Sequence, residues 1–439
     1  MKYEKYKNSG IEWIGDIPEH WDVTRLKNLL EVHYSGAWGN ESDESINDRN
    51  CIRIADFDFD NLTINEKKLT KRNYSDKEIE KYELRKGDVL VEKSGGGDKT
   101  PVGRVVFFDL EESILYANFI EMLRVKSVSK KFIAYLLSSM YHSGLIYTMF
   151  NQTTGIQNLN IPKYITQNIV LPKDNFEQEK IVAYLDDKTS QIDSIIKDLE
   201  MQKEKLEQYK RELIANVVTK GLNNNIPMKD SGVDWIGEVP ECWEVKKIKW
   251  IFEILKRQNG RDERPVLSIT QQGIKIKDIE NNDGQMAESY ENYQLVEPGD
   301  FAMNSMDLLT GWIDCSQYEG VTSPDYRVFR LIDTNGHNND FYNYLFQMCY
   351  TRRIFYRIGQ GVSNLGRWRL QREPFLNMKI PVPPKEEQEN ISNFIRIKEN
   401  KINMIVSEVE KQIEKLKEYR KILIHEAVTG KVKIDGGAK

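Results

Sequence analysis

Residues 177–221 return as residues 387–431 at a constant offset of 210, without a gap. Both copies open on Glu-Gln-Glu (Glu177-Gln178-Glu179 and Glu387-Gln388-Glu389). They close on LEQYKRELIANVVT (206–219) and LKEYRKILIHEAVT (416–429). A long segment present twice constrains the chain to fold as two related units. Each copy follows a proline stop, at Pro172 and at Pro381, Pro383 and Pro384, and meets no further proline or glycine until Gly221 and Gly430. Prolines belong just before helices and seldom inside them, so each copy predicts a helix of about 40 residues, about 60 Å long at 1.5 Å per residue.

Apolar residues recur with a period of seven. Leu185, Ile192, Leu199, Leu206 and Leu213 share one heptad position, and Ile395, Ile402, Val409, Leu416 and Leu423 are their equivalents. A second seam row is assigned to Ile181, Lys188, Ile195, Gln202 and Tyr209, matched by Ile391, Lys398, Ile405, Gln412 and Tyr419. The pattern is that of a coiled-coil seam, and pairing the two copies antiparallel with each other is the economical arrangement.

A second repeat precedes each unit. SGIEWIGDIPEHWDV (9–23) returns as SGVDWIGEVPECWEV (231–245), with nine of fifteen positions identical. TTGIQNL (153–159) is matched by GQGVSNL (359–365), and LRKGD (84–88) by VEPGD (296–300). The bodies between these anchors diverge. Uniform drift would not spare the ends and alter the middle, so the middles are read as carrying a variable function. Residues 24–170 and 246–380 mix strand-like runs (88–91, 103–108, 326–331) with Gly-, Asn- and Asp-rich loops, and short helices are expected at 130–142 and 340–355. The expected fold is α+β: two globular heads dominated by antiparallel sheet, separated by two long helices forming an antiparallel coiled coil.

Net charge is −5, which opposes a protein that coats nucleic acid by bulk charge and directs attention to local patches. Residues 351–372 carry six arginines (Arg352, Arg353, Arg357, Arg367, Arg369, Arg372) and no acid, with Phe355, Tyr356 and Trp368 interleaved. Arginine forks suit phosphates and guanine edges, and aromatics pack on sugars or bases. In the first head Lys93, Lys99 and Arg104 flank a Gly-rich loop. Gln157 and Asn158, against Ser363 and Asn364, offer groups that read bases or grip phosphates.

Catalytic chemistry is not expected. The five histidines show no HxH or HExxH spacing, Gly95–Thr100 lacks the spacing of a phosphate loop, and no methyltransferase or nuclease motif occurs. Cys51, Cys242, Cys315 and Cys349 lie far apart and read as incidental thiols of a reducing cytoplasm, with no metal site. No apolar run reaches the length of a membrane span. The competing readings are a two-headed coiled-coil protein-interaction adaptor without DNA specificity, and a self-sufficient nuclease or methyltransferase.

The SGIEWIGDIPEHW and SGVDWIGEVPECW openings, the TGIQNL and QGVSNL motifs, the Pro-then-EQE helix entries and the LEQYKRELI and LKEYRKILI ends closely resemble those of type I restriction–modification specificity subunits. The resemblance spans essentially the whole chain. It implies two target-recognition domains (1–172 and 223–382) and two spacer helices (173–222 and 383–439). Each domain would read half of a split, asymmetric target in double-stranded DNA. The helices would set the unread gap and bind two methyltransferase subunits, with motor-nuclease subunits completing the complex. The partners would use S-adenosylmethionine, ATP and Mg2+; this chain would use none. Family members have a circular pseudo-symmetry in which the N-terminal segment packs beside the C-terminal helix. The family pattern turns the loops at 35–40, 93–104, 256–261 and 303–311 towards DNA. With the basic clusters, this makes Trp38, Asn40, Lys93, Lys99, Arg104, Gln157, Asn158, Arg257, Gln258, Arg261, Asn304, Arg357, Ser363, Asn364, Arg367, Trp368 and Arg369 the candidate DNA-binding residues.

Overall fold

A computed structural model describes residues 2–97, 99–153, 155–223, 225–260, 264–278, 289–361 and 368–434. The chain divides into two compact units, residues 1–198 with 411–439, and residues 199–410. Each unit therefore owns half of each long helix.

In the first unit four strands form the central sheet: β1 (Leu30–Ser35), β2 (Val89–Glu92), β3 (Val105–Phe107) and β4 (Ile120–Val125), in the order β3-β2-β4-β1, all antiparallel. Helix α1 (Lys130–His142) follows β4 and sinks Phe132, Ile133, Leu136, Leu137 and Met140 into the core. The long helix α2 (Asn175–Lys220) comes next, 46 residues without a break. In the second unit β5 (Phe252–Ile254), β6 (Phe301–Met303), β7 (Ile313–Cys315) and β8 (Arg327–Leu331) pair in the order β5-β8-β6-β7. This is the same topology strand for strand. Helix α3 (Asn339–Thr351) replaces α1, and α4 (Lys385–Val428) replaces α2.

The duplicated scaffold has a duplicated polar anchor. Asp88, after a tight turn, holds Arg124 of β4 through Nε at 2.9 Å and Nη2 at 2.7 Å, deep in the first unit. Asp300 holds Arg330 of β8, with Nε at 3.0 Å. A buried carboxylate is costly unless paired and hydrogen-bonded, and the fork geometry of arginine supplies both. The Gly-Asp recurrence in LRKGD and VEPGD thus marks a structural ion pair.

The repeated motifs at the helix entries are mechanical too. Trp21 and Trp243 are fully buried, and their indole N–H groups donate to Glu177 (3.1 Å) and Glu387 (2.7 Å) respectively. The neighbouring Gln178 accepts from Ser129 N and donates to Pro172 O, both at 2.8 Å. Gln388 does the same with Asn338 N and Pro383 O, again at 2.8 Å. The Glu-Gln pair therefore ties each long helix to its own head.

Within the first unit the start of α2 meets the end of α4, where Leu185 and Ile192 share a core with Leu423, Ile424 and Val428. Within the second, Ala215, Val217 and Val218 near the end of α2 share one with Ile391 and Ile395 near the start of α4. The pairing is antiparallel in both. Polar contacts repeat as well: Arg420 Nε lies 3.1 Å from Asp193 Oδ1, and Lys210 Nζ lies 3.0 Å from Asn403 Oδ1, with each residue of one pair 210 positions from its counterpart in the other.

The second seam row is buried at its first members, Ile181 and Ile391, and departs from the sequence reading further along. Ile195, Tyr209, Ile405 and Tyr419 are exposed, as are Gln202, Lys398 and Gln412. Beyond Ile181 and Ile391 the inward row lies one residue further on, at buried Thr189 and half-buried Ile196 in α2 and at buried Val406 and Ile413 in α4. One heptad row admits a partner row either three or four residues on. Burial selected the latter, because Val406 and Ile413 fill it and Lys210 and Arg420 lay their stems along it.

The N-terminal segment packs against the end of α4. Lys431 Nζ donates to Asp16 O at 2.5 Å, and Ile14 and Ile17 share a core with Ile424 and Val428. Gly430 has a φ of +71°, and a Cβ there would stand 2.4 Å from Pro18 Cδ, so only glycine closes this helix end. In the second unit residues 231–245 follow α2 directly and take the equivalent place, with Trp243 beside Gly221.

Candidate nucleic-acid interface

In the first unit the TGIQNL segment forms a hairpin, Phe150–Thr153 against Ile156–Leu159, whose second strand also pairs with Ser94–Gly95. This brings Lys93, Gln157 and Asn158 together. Gln157 is buried and its Oε1 accepts from Val102 N at 3.1 Å, clamping the Gly-rich loop. Asn158 is exposed and accepts from Ser94 Oγ at 2.7 Å. Arg104 makes a bidentate pair with buried Glu92 (2.7 and 2.9 Å) and covers the Phe59 ring. Lys93 Nζ donates to Ser35 Oγ at 2.8 Å, and that hydroxyl donates to Glu121 at 2.5 Å. Only Lys99 of this basic group projects freely. Trp38 and Asn40 stand on a separate exposed edge, where Arg72 lies 4.5 Å over the Trp38 ring.

In the second unit Arg257 is engaged by Glu297 and buried Asp300, and so lies within the ion-pair cluster of Arg330. Gln258 is exposed and bridges to Gln294. Asn304 folds its Oδ1 onto Met306 N at 3.1 Å, which shapes its own turn. Tyr356 and Trp368 pack with ring centroids 4.3 Å apart. Arg352, Arg353, Arg357, Arg369 and Arg372 are all exposed, so the acid-free segment does present a cationic surface. Arg261, Ser363, Asn364 and Arg367 lie outside the described residues.

Sequence reasoning passed over Glu121 and His33 of the first unit and Arg327 of the second, and reached Ser35 only as the start of the 35–40 loop. Glu121 is buried, 2.7 Å from His33 Nδ1. Burial, opposed weakly by the nearby Tyr350 hydroxyl and reinforced by Arg372, pushes the Arg327 guanidinium down to about 10, so it stays charged at neutral pH. The available signal was the Gly-Asp match, which aligns the strands that carry them. Among the described residues there is no His/Cys/Asp/Glu group arranged to hold a metal, and no helix is long and apolar enough to cross a membrane.

Two heads of one topology, each facing solvent with its own set of polar loops, on paired helices, define a bipartite recognition scaffold. The family model for the type I restriction modification DNA specificity domain matches residues 18–207 and again 240–415, well over half of the chain. The chain therefore belongs to this family, as a specificity subunit carrying two such domains. It is 24% identical over 453 residues to a Methanocaldococcus jannaschii chain named as the specificity subunit of the type I restriction enzyme MjaX, covering 99% of each. It is 27% identical over 301 residues to the MjaVIII specificity subunit of the same organism, covering 65% of this chain and 67% of that one. The fold is shared with a chain from a structure on complex assembly and conformational transition of the type I R-M system (TM-score 0.66, 13% identity, 94% of this chain and 98% of that one). It is shared also with the HsdS subunit from Thermoanaerobacter tengcongensis (TM-score 0.50, 13% identity, 95% and 98%).

Proposed function

We propose that this subunit selects DNA for a type I restriction–modification complex, each head reading one half of a split, asymmetric target, and performs no chemistry itself. The observation that carries this reading is the pair of heads with identical strand order and unlike surfaces. A duplicated frame with diverged loops suits two different half-sites. Exposed Lys99 in one head and the arginines of 352–372 in the other supply phosphate contacts.

The exposed row Ile195, Gln202 and Tyr209 recurs as Ile405, Gln412 and Tyr419. It offers two methyltransferase subunits the same docking strip twice, since one partner surface needs one set of contacts. Motor-nuclease subunits complete the assembly. S-adenosylmethionine, ATP and Mg2+ serve those partners, and the target adenine is flipped into the methyltransferase. The setting is cytoplasmic.

The test is to co-express the chain with its methyltransferase subunit and map methyladenine across the genome. A single split motif, present only when both proteins are made, supports the reading. An assembled complex that leaves no new methylation overturns it.

A further inference from the structure

The two units carry opposite charges at one equivalent place. The Asp88–Arg124 and Asp300–Arg330 pairs align β4 with β8. Three residues before these arginines stand Glu121 and Arg327, whose strand partners Val91 and Met303 each lie three residues beyond the aspartate. Glu121 is satisfied by His33 and Ser35. Arg327 is not satisfied. Its Nη2 donates to Leu370 O at 2.8 Å and its guanidinium lies 5.0 Å over the Phe375 ring, but Nη1 is shut off from solvent with no partner among the described residues. A buried donor without an acceptor is a costly arrangement that wants a ligand or a reason.

Arg327 lines a cavity of about 590 Å³ with Gln258, Asn292, Gln294, Tyr326 and Arg372. Arg257, already paired with Asp300, and Asp325 also line it, and amides, guanidinium groups and carboxylates are side chains that read base edges. The sign reversal decides between base and phosphate. Phosphate is the same in both half-sites, so a phosphate-gripping position has no reason to change from cation to carboxylate between heads. A base-reading position does, because guanine presents acceptors and cytosine an amino donor. Its hold on Leu370 and Phe375 also fixes the Arg327 fork, as reading requires and phosphate gripping does not.

We propose that Arg327 is a specificity-determining residue of the second unit, donating from this cavity to the O6/N7 edge of one guanine in the second half-site. This rests on the DNA-reading function proposed above. The test uses the full chain with its methyltransferase subunit, as wild type, Arg327→Gln and Arg327→Lys. Methylome mapping of both variants should show the second half-site relaxed at one guanine and the first half-site unchanged. In binding competition, wild type should lose roughly 10- to 100-fold when that guanine is replaced, while Arg327→Gln binds all four bases alike. Arg327→Lys keeps the charge and loses the fork, so it should keep overall affinity and lose the discrimination. An unchanged motif overturns the proposal. So does a uniform loss across all four bases with a salt slope shallower by about one, which marks a phosphate contact. If wild type itself yields no split motif, the underlying reading has failed before any variant is compared, and this proposal falls with it. Melting curves of both variants, with retained first-half-site recognition, separate lost reading from lost folding.

Discussion

The indole N–H of Trp21 donates to Glu177 Oε1 at 3.1 Å, joining the first repeated motif of the chain to the entry of its first long helix. Glu177 also accepts from Tyr3 Oη at 2.7 Å and lies 2.9 Å from His20 Nε2. The same bond in the second unit joins Trp243 to Glu387. Replacing Glu177 by Ala leaves a buried indole donor unpaired. The expected loss is about 1.5–3 kcal/mol. Hydrogen exchange should show lost protection at residues 1–25 and the first turns of α2, with residues 231–245 unaffected; Glu387→Ala should show the reverse.

The Asp88–Arg124 pair is the more buried of the two ion-pair anchors, with the Arg124 side chain 10% exposed against 37% for Arg330. Its hydrogen bonds to Asp88 hold the Arg124 guanidinium above its ordinary pKa. Arg124→Ala strands a buried carboxylate and should cost about 3–5 kcal/mol, with a smaller loss for Arg330→Ala, because buried Asp300 keeps Arg257 as a second partner. Thermal melting of the two variants side by side checks the order.

Exposed and buried rows of the long helices should separate assembly from stability. Ile402 is buried, so Ile402→Ala should cost about 2–5 kcal/mol. Ile195 is 49% and Ile405 39% exposed, and their replacement by Ala should change stability by less than about 0.5 kcal/mol. The double variant Ile195→Ala, Ile405→Ala should nonetheless weaken capture of the methyltransferase subunit, measured by gel filtration of the complex. Full-strength assembly would remove the row from the docking surface.

Adding one heptad after Met201 and another after Lys411 lengthens each helix by about 10.5 Å. At 3.4 Å per base step, the unread gap of the methylated motif should grow by about three base pairs while both half-sites stay the same. Altered half-sites would show that reading does not reside in the heads alone.

Burial, then the neighbouring Lys431, holds the His425 imidazole below its ordinary 6.5, with Glu426 opposing. The folded state resists protonating this ring, whereas the unfolded chain protonates it near 6.5. Below that pH the unfolded state binds more protons. The stability contribution is therefore full above about 6.5 and declines as pH falls through the window beneath it. Melting temperature should drop between pH 7.5 and 5, and His425→Gln should flatten the change.

The duplication, both long helices, the main heptad row and the expectation of mixed heads were legible in the chain, because periodicity and exact recurrence are properties of order along the sequence. Three of the eight core strands, Val89–Glu92, Val105–Phe107 and Arg327–Leu331, lie within two residues of the runs read from β-rich segments. Partnership was not legible. Arg104 and Arg257 look like free cations in a list of residues, yet each is held by an acid on another segment, Glu92 and Asp300. The Lys-Ile-Gln-Tyr row matches in both helices and by periodicity alone reads as seam, but recurrence marks constraint without saying whether it comes from the partner helix or from another subunit. Glu121 and Arg327 share no local motif; only strand register gives them equivalent positions, each in its own unit. Residue order sets which surfaces a helix or strand can present. Which charge finds its counter-charge, and which is left for a ligand, was decided when distant segments packed.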